Sequence, residues 1–175
     1  MPFLNSIFLY PIKSLAGIPL NNSIVTNTGL KYDRKWMLVD EQQNFLSQRR
    51  LPKMALIKTH ITGQQLIVSA PNYPDLSLPL EAPETTNTLD VTVWHDQCAA
   101  LPVSKIADQW FSNFLQTSCQ LVYQPENNIR TVDQNYAQSD DQTSFSDGFP
   151  FLIVSEASLA LLNQQMGLSL SIQRF

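Results

Sequence analysis

The sequence predicts a mainly β protein with two amphipathic helices, an α+β arrangement whose body is a bent sheet or a β-barrel. Short apolar segments separated by turn residues recur at regular spacing, which is typical of barrels and strongly bent sheets rather than doubly wound α/β folds. One segment, Trp36-Met37-Leu38-Val39, is apolar at every position, which indicates a central strand buried on both faces. Helical spacing of apolar residues occurs only later, after residue 100.

The first part of the chain is predicted to consist of short strands. They are rich in Ile, Val, Leu and Phe, with breaks at Gly29, Pro52 and Gly63. Residues 40–44 are expected to form a hairpin turn. The predicted strands cover residues 3–10, 18–26, 36–39, 45–48, 55–61 and 66–69.

Later strands are predicted from different signals. Residues 71–88 hold four prolines and are expected to form a surface loop or an irregular edge strand, because proline cannot donate to a ladder. Residues 89–94 alternate apolar and polar side chains, as a half-buried strand does. Two more strands are expected at residues 120–123 and 151–154, the latter after the turn at residues 147–150.

Both predicted helices begin at a serine cap. Ser104 caps a helix that extends to about Gln116, with an apolar face of Ile106, Ala107, Trp110, Phe111, Phe114 and Leu115. Ser155 caps a second helix over residues 156–166, with Gly167 ending it. Its apolar residues Ala157, Leu159, Ala160, Leu162 and Met166 are expected to face inward. The amides at its start can bind an oxyanion, although many capped helix starts bind nothing.

Residues 124–146 form a long polar segment dominated by Asn, Gln, Asp, Ser and Thr. Arg130 is its only cation. A polar segment of this length is either mobile or an active-site flap, and both interpretations remain open.

Composition narrows the class of protein. The 175 residues carry a formal net charge of −4 with pI near 5.0, which argues against general nucleic-acid binding. The sequence shows no signal-peptide pattern and no apolar run long enough to span a bilayer, so a cytoplasmic location without membrane association is expected. Cys98 and Cys119 belong to no metal motif and are expected to be reduced and at least partly buried.

The charge is unevenly distributed. Residues 31–58 carry a net charge of +4 and the rest of the chain −8. One predicted strand end before this window presents Lys13 and Ser14, and another within it presents Arg34. Together the two ends predict a cradle for an anion such as a phosphate. The alternative is a set of strand edges kept soluble by basic residues.

Other motif classes are absent or weak. The five glycines form neither a phosphate loop nor a dinucleotide fingerprint, and no Gly-x-Ser-x-Gly elbow occurs. His95-Asp96 is interpreted as the polar opening of a turn rather than as a catalytic pair.

Several short motifs occur along the chain in a fixed order. They are Tyr-Pro-Ile-Lys-Ser at 10–14, Tyr-Asp-Arg-Lys-Trp-Met-Leu-Val-Asp at 32–40, Phe-Leu-Ser-Gln-Arg at 45–49, Pro-Lys-Met-Ala at 52–55, Val93-Trp94, Ser-Asp-Gly-Phe-Pro-Phe-Leu-Ile-Val-Ser-Glu-Ala-Ser-Leu at 146–159, Leu162-Asn163 and the terminal Gln-Arg-Phe. Together they resemble the N-terminal β-barrel region of MOSC-domain molybdenum proteins, a group that includes the amidoxime-reducing components and bacterial hydroxylaminopurine-detoxifying proteins.

The resemblance implies a site. In this family the matching lysine, serine and arginine hold the phosphate end of a molybdopterin cofactor, which assigns that role to Lys13, Ser14 and Arg34. The Asp147-Gly148 turn resembles a segment that lies against the pterin. The family's molybdenum-ligating cysteine belongs to a C-terminal MOSC half, so no metal ligand and no catalytic residue is assigned here.

The resemblance also implies an organisation and an activity. Residues 1–123 are expected to form the barrel-like domain, 124–146 a polar loop or flap, and 147–175 the start of a segment leading into the MOSC half. The full-length protein is then a molybdenum oxidoreductase that reduces N-hydroxylated small molecules with electrons from an iron–sulfur or other redox partner. The chain alone, ending at Arg174-Phe175, is expected to be an inactive fragment without the cofactor. The alternative is a non-catalytic β-barrel module for docking or substrate recognition.

Overall fold

The structure is a computed structural model and describes residues 3–174, so Phe175 and the predicted chain end lie outside the described residues. The described chain is mainly β with two α-helices, as predicted. Its strands are β1 (Ile7–Leu9), β2 (Ile18–Leu20), β3 (Val25–Thr26), β4 (Gly29–Leu30), β5 (Trp36–Val39), β6 (Lys58–Thr62), β7 (Gln65–Ala70), β8 (Tyr73–Pro79), β9 (Leu89–Val93), β10 (Asp96–Pro102) and β11 (Gln120–Tyr123). The helices are α1 (Lys105–Leu115) and α2 (Glu156–Met166), with 3-10 turns at Pro52–Leu56 and Ile172–Arg174.

An antiparallel sheet in the order β5-β11-β10-β9 forms the centre of the fold. All four residues of β5 are buried, which confirms the predicted strand with two covered faces. Trp36 and Leu38 pack into a core with α1 and the sheet β6-β7-β8, whereas Met37 and Val39 pack into a second core that includes Phe145. Alternation along one short strand therefore separates the two cores.

Helix α1 confirms its predicted cap and most of its predicted face. The Ser104 hydroxyl accepts a hydrogen bond from the amide of Ala107, and Trp110 and Phe111 are buried. Ile106 was expected on this face but is 73% exposed, because it lies on the solvent side of the first turn. The Trp110 indole donates to the carbonyl of Pro74 at 2.6 Å, which ties α1 to the proline-containing edge strand β8.

Helix α2 forms at the predicted position, but its predicted inward face is wrong. Ser155 caps it and Gly167 ends it in the left-handed conformation. None of the helix residues described is buried, and Met166 is 55% exposed. The strand predicted at 151–154 is also absent from the described chain, because that segment has no strand partner and Ile153 is 91% exposed.

Several strand predictions need new boundaries. Residues 18–26 divide into β2 and β3, and within residues 45–48 only Phe45 pairs, in an isolated bridge with Val39. A 3-10 turn occupies the start of the strand predicted at 55–61, so β6 begins at Lys58. Strand β10 was not predicted; a tight turn at Trp94 joins it to β9.

Both cysteines are free and buried, as expected. Among the described residues, no helix is long and apolar enough to cross a bilayer.

Candidate anion-binding pocket

The two cation-bearing strand ends predicted from sequence lie side by side. One carries Lys13 and Ser14 and the other carries Arg34, and they are called here the two cationic turns. The amide of Lys13 donates to the carbonyl of Trp36 at 2.9 Å, and the amide of Arg34 donates to the carbonyl of Tyr10 at 2.8 Å. A parallel bridge between Ile12 and Trp36 completes the pairing. The end of β1 and the start of β5 thus hold both turns through backbone hydrogen bonds.

Lys13 is a buried cation, with only 4% of its surface exposed. Its ammonium donates to the carbonyl of Phe145 at 2.8 Å and to a carboxylate oxygen of Asp147 at 2.5 Å. Burial lowers the pKa of Lys13, and the hydrogen bond and charge of Asp147 oppose that shift. An ammonium has three N–H donors, so these two contacts leave one for a ligand.

Arg34 is fixed by the preceding carboxylate. Asp33 is buried and accepts a hydrogen bond from Arg34 Nη1 through Oδ2 and one from the amide of Tyr10 through Oδ1 at 2.8 Å. The guanidinium also lies 4.5 Å above the centre of the Tyr10 ring. Burial raises the pKa of Asp33 against the opposing charge of Arg34.

Residues 143–147, called here the bridging segment, join the two turns from the other side. Besides the contacts of Lys13, the amide of Phe145 donates to the carbonyl of Arg34 at 3.0 Å. The Ser144 hydroxyl donates to the carbonyl of Asp33 at 2.6 Å. Each cationic turn therefore has its own attachment to one short segment.

These elements surround an open cavity of about 920 Å³. All five sequence-predicted site residues line it: Lys13, Ser14, Arg34, Asp147 and Gly148. The structure adds two cations to its wall, Arg49 and Lys58. Among the described lining residues are thus four cationic side chains and a single carboxylate, within a chain whose net charge is −4.

Trp94 supplies an aromatic wall beside the cations. Its ring packs against Phe45, with centroids 4.8 Å apart, and the guanidinium of Arg49 lies 5.0 Å from its centre. Its indole N–H donates to Asp147 at 3.0 Å. Burial opposes ionisation of Asp147, but the hydrogen bonds from Lys13 and Trp94 and nearby positive charge outweigh it, so the pKa of Asp147 is lowered.

The backbone is unusual at this cavity. Ser14, Arg34 and Trp94 all adopt positive φ, at 65°, 47° and 57°. Non-glycine residues in this region cost free energy, and such residues concentrate at functional sites. At Gly148, by contrast, an added Cβ would meet no protein atom within 4 Å, so protein packing does not require glycine there.

Sequence reasoning missed Arg49, Lys58 and Trp94 as pocket residues. Arg49 and Lys58 were counted within the basic window and Trp94 was placed on a strand; Arg49 and Trp94 also fall in motifs that carry the resemblance, but none of the three was given a role in a site. Trp94 directly follows β9, Lys58 is the first residue of β6, and Arg49 lies in a turn, so the three share no local sequence signal that would place them at one cavity. No group of three or more possible metal ligands occurs among residues 3–174.

Fold and pocket together define a mainly β domain with a cation-lined, partly aromatic cavity. Residues 1–118 match the family described as the MOSC N-terminal beta barrel domain, and the chain belongs to this family. The predicted resemblance is confirmed to that extent, and the observed β-rich fold is consistent with it.

Named relatives extend the match along the chain. "Mitochondrial amidoxime-reducing component 1" is 34% identical in mouse, with 91% of this chain and 49% of the relative aligned. The human protein of that name is 32% identical, with 91% and 50% aligned. Human "Molybdenum cofactor sulfurase" is 28% identical, with 94% and 19% aligned. The chain spans about half the length of the amidoxime-reducing relatives it matches and a fifth of the sulfurase.

Proposed function

We propose that this chain supplies the phosphate-binding wall of a molybdenum-cofactor site. The observation that carries the proposal is the convergence of Lys13, Ser14 and Arg34 on one cavity, held there by contacts from two sides. A phosphomonoester needs cations and hydroxyl donors at one place, and a lysine point charge beside an arginine fork provides both kinds of contact.

The donor set fits the two ends of a molybdopterin differently. The phosphate suits Lys13, Ser14 and Arg34. Asp147 is an anion and would repel a phosphate, so it suits the N–H groups of a pterin ring, as the predicted contact of the Asp147-Gly148 turn implies. Trp94 offers a planar face for such a ring, and the cavity volume is in the range that small-molecule ligands occupy.

The comparisons support the cofactor more strongly than any one reaction. The relatives include one named for amidoxime reduction and another named for sulfuration of the molybdenum cofactor, although they align with the same chain. A shared cofactor-binding role is consistent with both. We therefore infer that this region binds the molybdenum cofactor. For the whole protein we infer the reduction of N-hydroxylated small molecules with electrons from a redox partner.

When bound, the cofactor would supply the redox chemistry at molybdenum. The residues of this chain would do three things. Lys13 and Arg34 would neutralise the phosphate, Asp147 would orient the pterin through its N–H groups, and Trp94 would exclude water from one face of the ring.

The test is pterin retention. The whole protein that contains this chain is produced in cells that make molybdenum cofactor, purified, and oxidised so that bound pterin is released as a fluorescent product. Lys13→Met with Arg34→Met should lower the pterin per protein at least tenfold, since each substitution removes a hydrogen bond to a charged group. Arg50→Met is the matched control, because the Arg50 side chain is 67% exposed and lies outside the pocket.

Equal pterin in the double variant and the control would overturn the residue assignment. Absence of pterin from the wild-type whole protein, together with no binding of inorganic phosphate to the 175-residue chain, would overturn the cofactor role itself.

A further inference from the structure

Arg130, the only cation of the polar segment at residues 124–146, is buried, and the proposed cofactor site does not use it directly. It is 6% exposed and does not line the cavity. Its Nε donates to a carboxylate oxygen of Asp96 at 2.7 Å. The polar composition of residues 124–146 is compatible with either a mobile segment or a flap, and the burial of Arg130 shows that this part of the segment packs into the fold.

The remaining donors of Arg130 hold the bridging segment by its backbone. Nη1 donates to the carbonyls of Ser144 at 2.9 Å and Ser146 at 2.6 Å, and Nη2 donates to the carbonyl of Asp147 at 3.1 Å. The amide of Thr143 returns a hydrogen bond to the carbonyl of Arg130 at 2.9 Å. One planar guanidinium therefore fixes three carbonyls whose relative positions set the path of the segment.

The same segment carries both acceptors of the Lys13 ammonium. The Phe145 carbonyl lies between two of the carbonyls that Arg130 holds, and the Asp147 side chain leaves the backbone at the third. Any displacement of this backbone moves the partners of Lys13, and through Asp147 also the acceptor of the Trp94 indole.

We infer that Arg130 is a positioning residue of the anion pocket, which sets the place of the Lys13 ammonium by holding the carbonyls of residues 144, 146 and 147. This inference rests on the proposed function, because it concerns the same pocket. It adds a residue 117 positions away from Lys13 in sequence that touches no ligand.

The alternative role for Arg130 is a general one, in which it contributes positive charge near the pocket. Replacement of Arg130 by lysine distinguishes the two roles, because it preserves the positive charge but not the set of hydrogen bonds. Arg130→Lys keeps the charge but has one nitrogen in place of three, so it cannot hold Asp96 and three carbonyls together.

The experiment titrates inorganic phosphate into the 175-residue chain and follows backbone and indole resonances by NMR. Arg130→Lys and Arg130→Gln should both weaken phosphate binding by about tenfold, the effect of misplacing one hydrogen bond to a charged group. The Trp94 indole resonance should shift in both variants without phosphate. Arg50→Gln is the control for a lost arginine charge and should leave both readouts unchanged.

A second measurement uses Lys13→Met as background. If Arg130 acts through Lys13, adding Arg130→Gln to Lys13→Met should produce little further loss of phosphate affinity. Additive losses would overturn the inference, as would folded Arg130 variants with wild-type affinity and an unmoved Trp94 resonance. If neither Arg130 variant folds, Asp96→Asn takes their place, because it removes the charged partner of the guanidinium. It should likewise weaken phosphate binding and shift the Trp94 resonance, and wild-type values of both would overturn the inference.

The two proposals fail in different ways. Phosphate binding that depends on Lys13 but not on Arg130 refutes only the positioning role. Phosphate binding that is absent, or indifferent to Lys13, refutes the proposed pocket and the positioning role with it.

Discussion

Asp33→Ala tests whether the buried carboxylate beside Arg34 organises the pocket. The carboxylate is 3% exposed and accepts hydrogen bonds from the Tyr10 amide and from Arg34. Alanine leaves the amide without that acceptor and Arg34 without its charge partner. Removing one partner of a buried ion pair costs about 3–5 kcal/mol.

Two features favour the lower end of that range. The Arg34 side chain is 26% exposed and can recover water, and burial raises the pKa of Asp33, so desolvation already offsets part of the attraction. We expect a loss of about 3 kcal/mol in the free energy of unfolding for Asp33→Ala. Asp33→Asn keeps an oxygen acceptor for the amide and should cost about 1 kcal/mol, the scale of one hydrogen bond.

Urea unfolding followed by tryptophan fluorescence measures both changes. With a slope near 2 kcal/mol per molar urea, alanine should lower the midpoint by roughly 1.5 M and asparagine by about a third of that. If the two variants lose equal stability, or neither loses more than about 0.5 kcal/mol, the Asp33 carboxylate does not hold this turn as described.

Three further predictions concern the pocket and the helices. Asp147→Asn should destabilise the chain at neutral pH. Folding lowers the pKa of Asp147 from 3.8, so the stabilisation by its carboxylate is present above pH 3.8 and disappears as the pH falls through the folded-state pKa. Urea unfolding curves of the variant and the wild type should therefore converge in acid. Ser104→Ala should cost about 1 kcal/mol of global stability in urea, whereas Ser155→Ala, at a helix without buried residues, should speed amide exchange within that helix and leave the urea midpoint unchanged. Phe111→Ala should cost about 3–5 kcal/mol in the same urea assay because Phe111 is fully buried in the core, and a loss below about 1 kcal/mol would contradict that packing.

Local sequence patterns predicted those elements in which the order of apolar and polar residues already shows which face is buried. Alternation at 89–94 gave β9 with Val91 and Val93 buried, and the serine cap with apolar spacing gave α1. Helix α2 shows the limit of such patterns. A serine cap and a terminal glycine fix its length, but burial depends on what packs against it, and the second helix has no buried residue in the described chain.

The pocket was predictable only in part. Lys13, Ser14 and Arg34 carry local turn chemistry next to apolar runs, and their motifs resemble a known family. Arg130 has no such signal, because a single arginine in a polar segment looks the same whether it is solvated or buried. Its partners are Asp96 at the start of β10 and backbone carbonyls 14 to 17 residues away, and every residue has such a carbonyl whatever its side chain.

The bridging segment also has a consequence for how the chain folds. The bond from Lys13 to Phe145 spans 132 residues and that from Ser144 to Asp33 spans 111. Contacts of such separation require large loops to close and form slowly unless other elements have first brought their ends together. We expect β5 to pair with β11 before Phe145 reaches Lys13. During synthesis the two cationic turns would therefore emerge early and contact the bridging segment only after residues 143–147 have been made. Ligand binding at this pocket would then report that nearly the whole chain has folded.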